Sequence, residues 1–172
     1  NSGDGNELNV LNGYTTVGSL NTTANPAAIA RFNILNGRLD VGSLLADKAS
    51  CTVTMLAGGT GEVNLADMTS TTTMDQIVLN FETGSEASFT IASNGGANAQ
   101  GTWETKIAAG TVQIDGVAKT STNLFVITDL GALGATISLA PPPPPDLDPP
   151  TPNPAGFSNA PTAISSTELW MT

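Results

Sequence analysis

Histidine is absent from the 172 residues, and cysteine occurs once, as Cys51. A single thiol cannot close an internal disulfide. Without an imidazole it also lacks the usual base of a thiol nucleophile, and zinc sites of the Cys/His kind are excluded. Cys51 therefore reads as a small buried hydrophobe in a strand. Basic residues are scarce too: Arg31, Arg38, Lys48, Lys106 and Lys119 stand against 15 acidic residues, for a net charge of −10. Phosphate backbones and anionic membrane surfaces are bound by clustered Lys and Arg, so nucleic acid and membrane surfaces are rejected as partners. The same balance speaks against tight binding of acidic polysaccharides. Charged residues make up 12% of the chain, about half the usual share. No run of 18 apolar residues exists, which excludes a membrane-spanning helix. The chain begins at Asn1 and carries no export signal, as a processed product or an excerpt of an exported protein would.

What remains is apolar residues at 40% among glycine, hydroxyl and amide residues, the composition of a turn-rich extracellular β protein. A repeat organises it. Residues 8–20 and 32–44 align at an offset of 24, with eight of thirteen positions identical, around Leu11-Asn12-Gly13 and Leu35-Asn36-Gly37. Degenerate copies follow at Thr52–Leu65 and Ile77–Ile91. Marker glycines at Gly13, Gly37, Gly58 and Gly84 give spacings of 24, 21 and 26. Such spacing suits one coil of a β-solenoid, so the expected fold is an all-β solenoid of about 20–26-residue rungs with a C-terminal cap. The competing architecture is a β-sandwich or jelly roll. In that reading Asn12-Gly13 and Asn36-Gly37 are hairpin turns that pair Ile34 with Leu39 and Phe32 with Val41, with Asn33 and Asp40 facing out. Val10, Leu11, Ile34, Leu35 and Val53 are expected in the core. Gly101–Ala109, with Trp103 and Ile107 four apart, predicts a short helix or strand as the cap.

The domain built from the repeat is expected to cover residues 1–140. Residues 141–154 form a linker in which nine of fourteen positions are proline. Its polyproline II form would reach ~43 Å, at ~3.1 Å per residue. Residues 155–172 read as an isolated tail strand.

The Leu-Asn-Gly…Val-Gly-Ser-Leu units, the stretch Asn80–Ile91, Trp103, Ala109–Gly116 and Ile137–Leu139 together resemble passenger-like β-solenoid segments. These occur in large secreted modular proteins of Verrucomicrobiota- and Planctomycetota-type environmental bacteria. The tail after the linker resembles the start of a fibronectin-III-like or immunoglobulin-like module. The resemblance implies an extracellular or cell-surface location and says little about activity.

Carboxylates are the remaining catalytic candidates: Glu62, Asp67 and Asp75, or Glu82 with Glu86, could form a glycosidase-type pair. Solvating charges beside turns are the plainer reading of all five. Arg38 and Asp40, two apart on one strand face, are too little for a lyase. No catalytic residue is therefore assigned, and no enzyme activity is expected. Asp146 and Asp148 are weak calcium candidates, with solvated linker acids the plainer reading; no other cofactor is implied. Tyr14 and Trp103 are the rings that could stack on a sugar, joined by Phe157 and Trp170, although core packing is the simpler role for Trp103. Asn21-Thr22-Thr23 matches a glycosylation sequon, a match common by chance. Leu169, Trp170 and Met171 could add as a strand to a sheet edge of a neighbouring copy. The expectation is a non-catalytic structural, adhesive or assembly module that meets itself or neighbouring domains. The alternative is a carbohydrate-binding module of a polysaccharide-degrading enzyme, with a polysaccharide partner; a β-helix lyase fragment ranks below both.

Overall fold

The computed structural model describes residues 6–21, 30–45, 51–66, 77–92 and 99–143. The chain divides into two units, Asn1–Pro141 and Pro142–Thr172. Every strand and helix among the described residues belongs to the first unit.

Apolar side chains alternate along each short segment, which is the pattern of a strand with one face buried. Cys51, Val53 and Met55 are buried while Thr52 and Thr54 are half-buried; Ile77, Leu79 and Phe81 repeat the pattern. Successive segments then sort into two sheets. The first runs β1(Asn6–Val10), β3(Ala30–Ile34), β5(Cys51–Met55), β7(Ile77–Phe81), β9(Val112–Ile114) and β10(Val117–Ala118). The second runs β2(Tyr14–Asn21), β4(Arg38–Leu45), β6(Glu62–Leu65), β8(Ser88–Ile91), β12(Ala135–Leu139) and β11(Phe125–Asp129). Their inner faces share one core, in which Phe32, Ile34, Val53 and Phe81 of the first sheet meet Leu39, Val41, Phe89 and Ile137 of the second. Each such side chain, fully buried, contributes about 1.5–3 kcal/mol.

The repeat offset is the pairing register. Leu8 lies opposite Phe32 and Val10 opposite Ile34 in the first sheet, and Tyr14 opposite Arg38 and Val17 opposite Val41 in the second, all parallel. The next steps in the first sheet pair Ala30 with Cys51 and Cys51 with Ile77, which reproduces the 21- and 26-residue glycine spacings.

The expected β-solenoid is nevertheless overturned. The strands form two mixed six-stranded sheets, and no closed coil is identified among the described residues. Each sequence repeat carries two alternating apolar strands, enough for two walls, and antiparallel pairing at β8–β12, β12–β11 and β9–β10 ends the parallel stacking. The arrangement is sandwich-like.

The hairpins of the competing reading fail as well. A type I′ turn needs positive φ at both central residues. Gly13 has φ of 82°, but Asn12, Asn36 and Gly37 are not in that region, so the chain crosses from one sheet to the other at both sites. Ile34 and Leu39 are thus buried from opposite walls of the core and are not cross-strand neighbours. Leu11, expected inside, is 49% exposed, and Leu35 is half-buried. Both sit in the crossing turn, where the Leu35 amide donates to the Val10 carbonyl and strand alternation has ended. A two-residue hairpin does form at Asp115-Gly116, with φ of 52° and 74°, between β9 and β10.

The one helix of more than a turn among the described residues is α1(Ala99–Ala108), which begins two residues before the stretch Gly101–Ala109 expected to be helix or strand and stops one residue short of its end. It ends in a Schellman turn: the Thr111 amide donates to the Lys106 carbonyl and Gly110, at φ of 72°, donates to Ile107. Trp103 and Ile107 are fully buried, and Trp103 meets Phe89 edge-on at 5.4 Å.

Candidate functional site

Alternation in the second sheet turns Leu39, Val41, Val63 and Leu65 inward, and so turns Arg38, Asp40, Glu62 and Asn64 outward. Parallel registration stacks these outward positions into rows that cross the strands. One row runs Tyr14, Arg38, Glu62, Ser88; the next runs Thr16, Asp40, Asn64, Thr90 and, through the antiparallel step, Thr136. Two positions further along each strand lie Gly18, Gly42, Ala66 and Ala92, beside Leu133. Tyr14 and Arg38 of the first row, Thr16, Asp40, Asn64 and Thr90 of the second, and this third row with Leu133 line an open groove of about 440 Å³.

Asp40 is the hub. Its Oδ1 accepts from Arg38 Nε at 2.9 Å and from Asn64 Nδ2 at 2.9 Å. Its Oδ2 accepts from the Tyr14 hydroxyl at 2.6 Å and from Arg38 Nη2 at 3.3 Å. The Arg38 hydrogen bond, with help from Tyr14 and Asn64, holds the Asp40 carboxyl below its ordinary value although burial opposes this. Arg38 is raised in turn, first by its hydrogen bond to Asp40 and then by the charges of Asp40 and Glu62. Its Nη1 lies 3.7 Å from Glu62 Oε2, and its Cζ lies 5.8 Å from the centre of the Tyr14 ring. Tyr14 is thus held by both ends, yet it stays 64% exposed. Thr90 and Thr136 share a hydrogen bond at 2.7 Å.

Chemically, this surface is a fixed array of hydroxyl, amide and carboxylate groups beside one exposed ring. A carboxylate already holding four donor contacts has little capacity left for a metal or a proton. A guanidinium paired with that carboxylate does not act as a base. Among the described residues no three thiol or carboxylate groups cluster to hold a metal ion.

The remaining sequence candidates are placed elsewhere. Trp103 is corrected as a sugar platform: it is fully buried, and its Nε1 donates to the Ala135 carbonyl at 3.1 Å. Apolar burial of a large ring beneath the second sheet outweighed exposure. Glu62 stands at the rim of the groove. Glu82 accepts from the Ala57 amide at 2.9 Å and so ties one turn to the next. Asp115 does the same for Thr83, and Asn36 for Thr60. Glu86 is exposed in a turn beside β8. Asp67, Asp75, Asp146, Asp148, Phe157, Leu169, Trp170 and Met171 lie outside the described residues, as does the side chain of Asn21.

Asn64, Thr16 and Thr90 carry no signal of their own in the sequence. The signal lies in the 24-residue offset, which puts Asn64 opposite Asp40. Comparison of the chain with known protein families, curated proteins and solved structures gave no match.

Proposed function

We propose that this chain is a non-catalytic carbohydrate-binding module of an extracellular or cell-surface protein, and that the outer face of the second sheet is its glycan-binding surface. One observation carries the reading: Tyr14, 64% exposed, is fixed by Asp40 and Arg38 at the head of a polar row in an open groove. Sugars present hydroxyls that pair with planar amide, carboxylate and guanidinium groups, and apolar ring faces that pack on aromatic rings. Pre-fixed side chains lose little entropy on binding, so such an array favours a ligand it need not reorganise for. The saturated Asp40 and the paired Arg38 argue against a lyase or hydrolase at this face. An assembly role through Leu169, Trp170 and Met171 has no such observation behind it.

The test is affinity electrophoresis of the full chain in gels containing a panel of polysaccharides, followed by calorimetry on the hits. At least one glycan should retard the protein. Tyr14→Ala should weaken that binding tenfold or more, the scale of a central aromatic contact. A panel with no binder, or a Tyr14→Ala protein that binds as wild type does, overturns the proposal.

A further inference from the structure

The reading of the face as a glycan site leaves the glycan's class and path open, and the groove constrains both. Charge comes first. Among the described residues, the ionised side chains that line the groove are Arg38 and Asp40, and Glu62 stands beside Arg38 at the rim, one cation against two anions. Arg38 is engaged by both carboxylates, at 2.9 Å and 3.7 Å. The other basic residues described stand elsewhere: Arg31 on β3 of the opposite sheet, Lys106 buried with its Nζ donating to the Ile77 carbonyl at 2.6 Å, and Lys119 beyond β10. A uronate or sulfate group would meet net negative charge and have to break the Arg38 pairs to gain a partner.

Shape comes second. The floor of the groove crosses the strands through Gly18, Gly42, Ala66 and Ala92, while Thr16, Asp40, Asn64 and Thr90 make one long polar wall. The Tyr14 ring marks the β2 end, and Leu133, 75% exposed, marks the β12 end. From β2 to β12 there are four strand-to-strand steps, or ~19 Å at ~4.8 Å each. The channel is open and crosses several strands, and a polar group repeats on each of β2, β4, β6 and β8.

We infer that the ligand is an uncharged, extended oligosaccharide that lies across the strands, over the Gly18–Ala92 floor, with one end against Tyr14 and the other toward Leu133. Hydroxyls along one edge of the chain meet the Asp40–Asn64 wall, and the small floor residues let its rings approach the backbone. This inference rests on the glycan-binding reading above, and it adds a charge class and a direction.

Gly18 provides the test. A Cβ built there meets nothing within 4 Å and its φ is not positive, so a side chain at Gly18 fills the groove without straining β2. The experiment is calorimetry on the full chain with neutral oligosaccharides of increasing length, set against oligogalacturonates and sulfated oligosaccharides of the same lengths. Affinity for the neutral series should rise with length and then level off once the groove is filled. The acidic series should bind at least tenfold more weakly. Gly18→Leu should cut neutral-glycan affinity at least tenfold while keeping the wild-type melting temperature. If acidic glycans bind as well or better, or Gly18→Leu binds as wild type does while Tyr14→Ala does not, the class or the path is wrong and the glycan-binding reading stands. If the wild-type chain binds none of these glycans, both fall.

Discussion

Tyr14 and Asp40 stand diagonally on adjacent parallel strands, and the Tyr14 hydroxyl donates to Asp40 Oδ2 at 2.6 Å. The bond joins the exposed ring to a carboxylate that Arg38 and Asn64 also hold. The Tyr14 hydrogen bond is one of those that favour the ionised form of Asp40.

That preference gives stability a pH profile of definite sign. The folded carboxyl titrates below its ordinary value of 3.8, so folding favours the ionised form. Its contribution is fully present above 3.8 and is lost as pH falls through the lowered value. Thermal melts between ~pH 2 and ~pH 7 should show an acid limb that Asp40→Asn shrinks, at a cost of about 1 kcal/mol near neutrality. An acid limb of unchanged size in Asp40→Asn would show that other carboxylates set it.

Two glycines on neighbouring strands should respond in opposite ways. At Gly42 a Cβ would land on the Gly18 carbonyl oxygen, so β2 and β4 would have to separate. Gly42→Ala should cost about 1–3 kcal/mol, as overpacking does. Gly18→Ala meets open space and should be neutral or stabilise by about 0.5–1 kcal/mol. Urea denaturation of the two variants reads the difference directly. Equal effects would mean that the strands approach less closely than the backbone indicates.

The sequence made the register legible because identical rungs pair like with like, so Leu8 over Phe32 and Val17 over Val41 follow from the 24-residue offset alone. Burial of Val10, Ile34 and Val53 was legible by alternation. The way the strands close was not. Asn-Gly favours a hairpin locally, but burying Ile34 and Leu39 from opposite walls satisfies both apolar faces at once, and tertiary packing won over the dipeptide. The Asp115-Gly116 hairpin could have been found by the same rule that failed at Asn36-Gly37. Of the site, Tyr14 was visible as one of few rings, whereas Asn64 and Thr90 carry no mark until the rows are stacked.

Trp103 should matter for stability and not for ligand. Its indole is buried against Phe89 and donates to Ala135. Trp103→Ala should cost about 3–5 kcal/mol, and Trp103→Phe less, in chemical denaturation. Folded Trp103→Phe protein should bind glycan as wild type does. A binding loss without a stability loss would contradict the burial.

Cys51 offers a reporter of core opening. The thiol is fully buried, and burial pushes its pKa up to about 12, against a smaller opposing effect of the Lys106 charge. The thiolate is the reactive form, so two barriers act together: the sulfur is out of reach, and almost none of it is ionised near neutral pH. Native protein at ~pH 8 should therefore resist a disulfide-exchange reagent for far longer than urea-unfolded protein, whose thiol returns toward its ordinary value. Since β5 lies between β3 and β7 in the middle of the first sheet, labelling requires that sheet to open. Core-weakening substitutions such as Trp103→Ala should speed labelling in proportion to the stability they remove, whereas Tyr14→Ala, which removes one exposed hydrogen bond on the outer face, should speed it far less. Rapid labelling of the native wild-type protein would show that Cys51 is accessible and that the two sheets do not close over it.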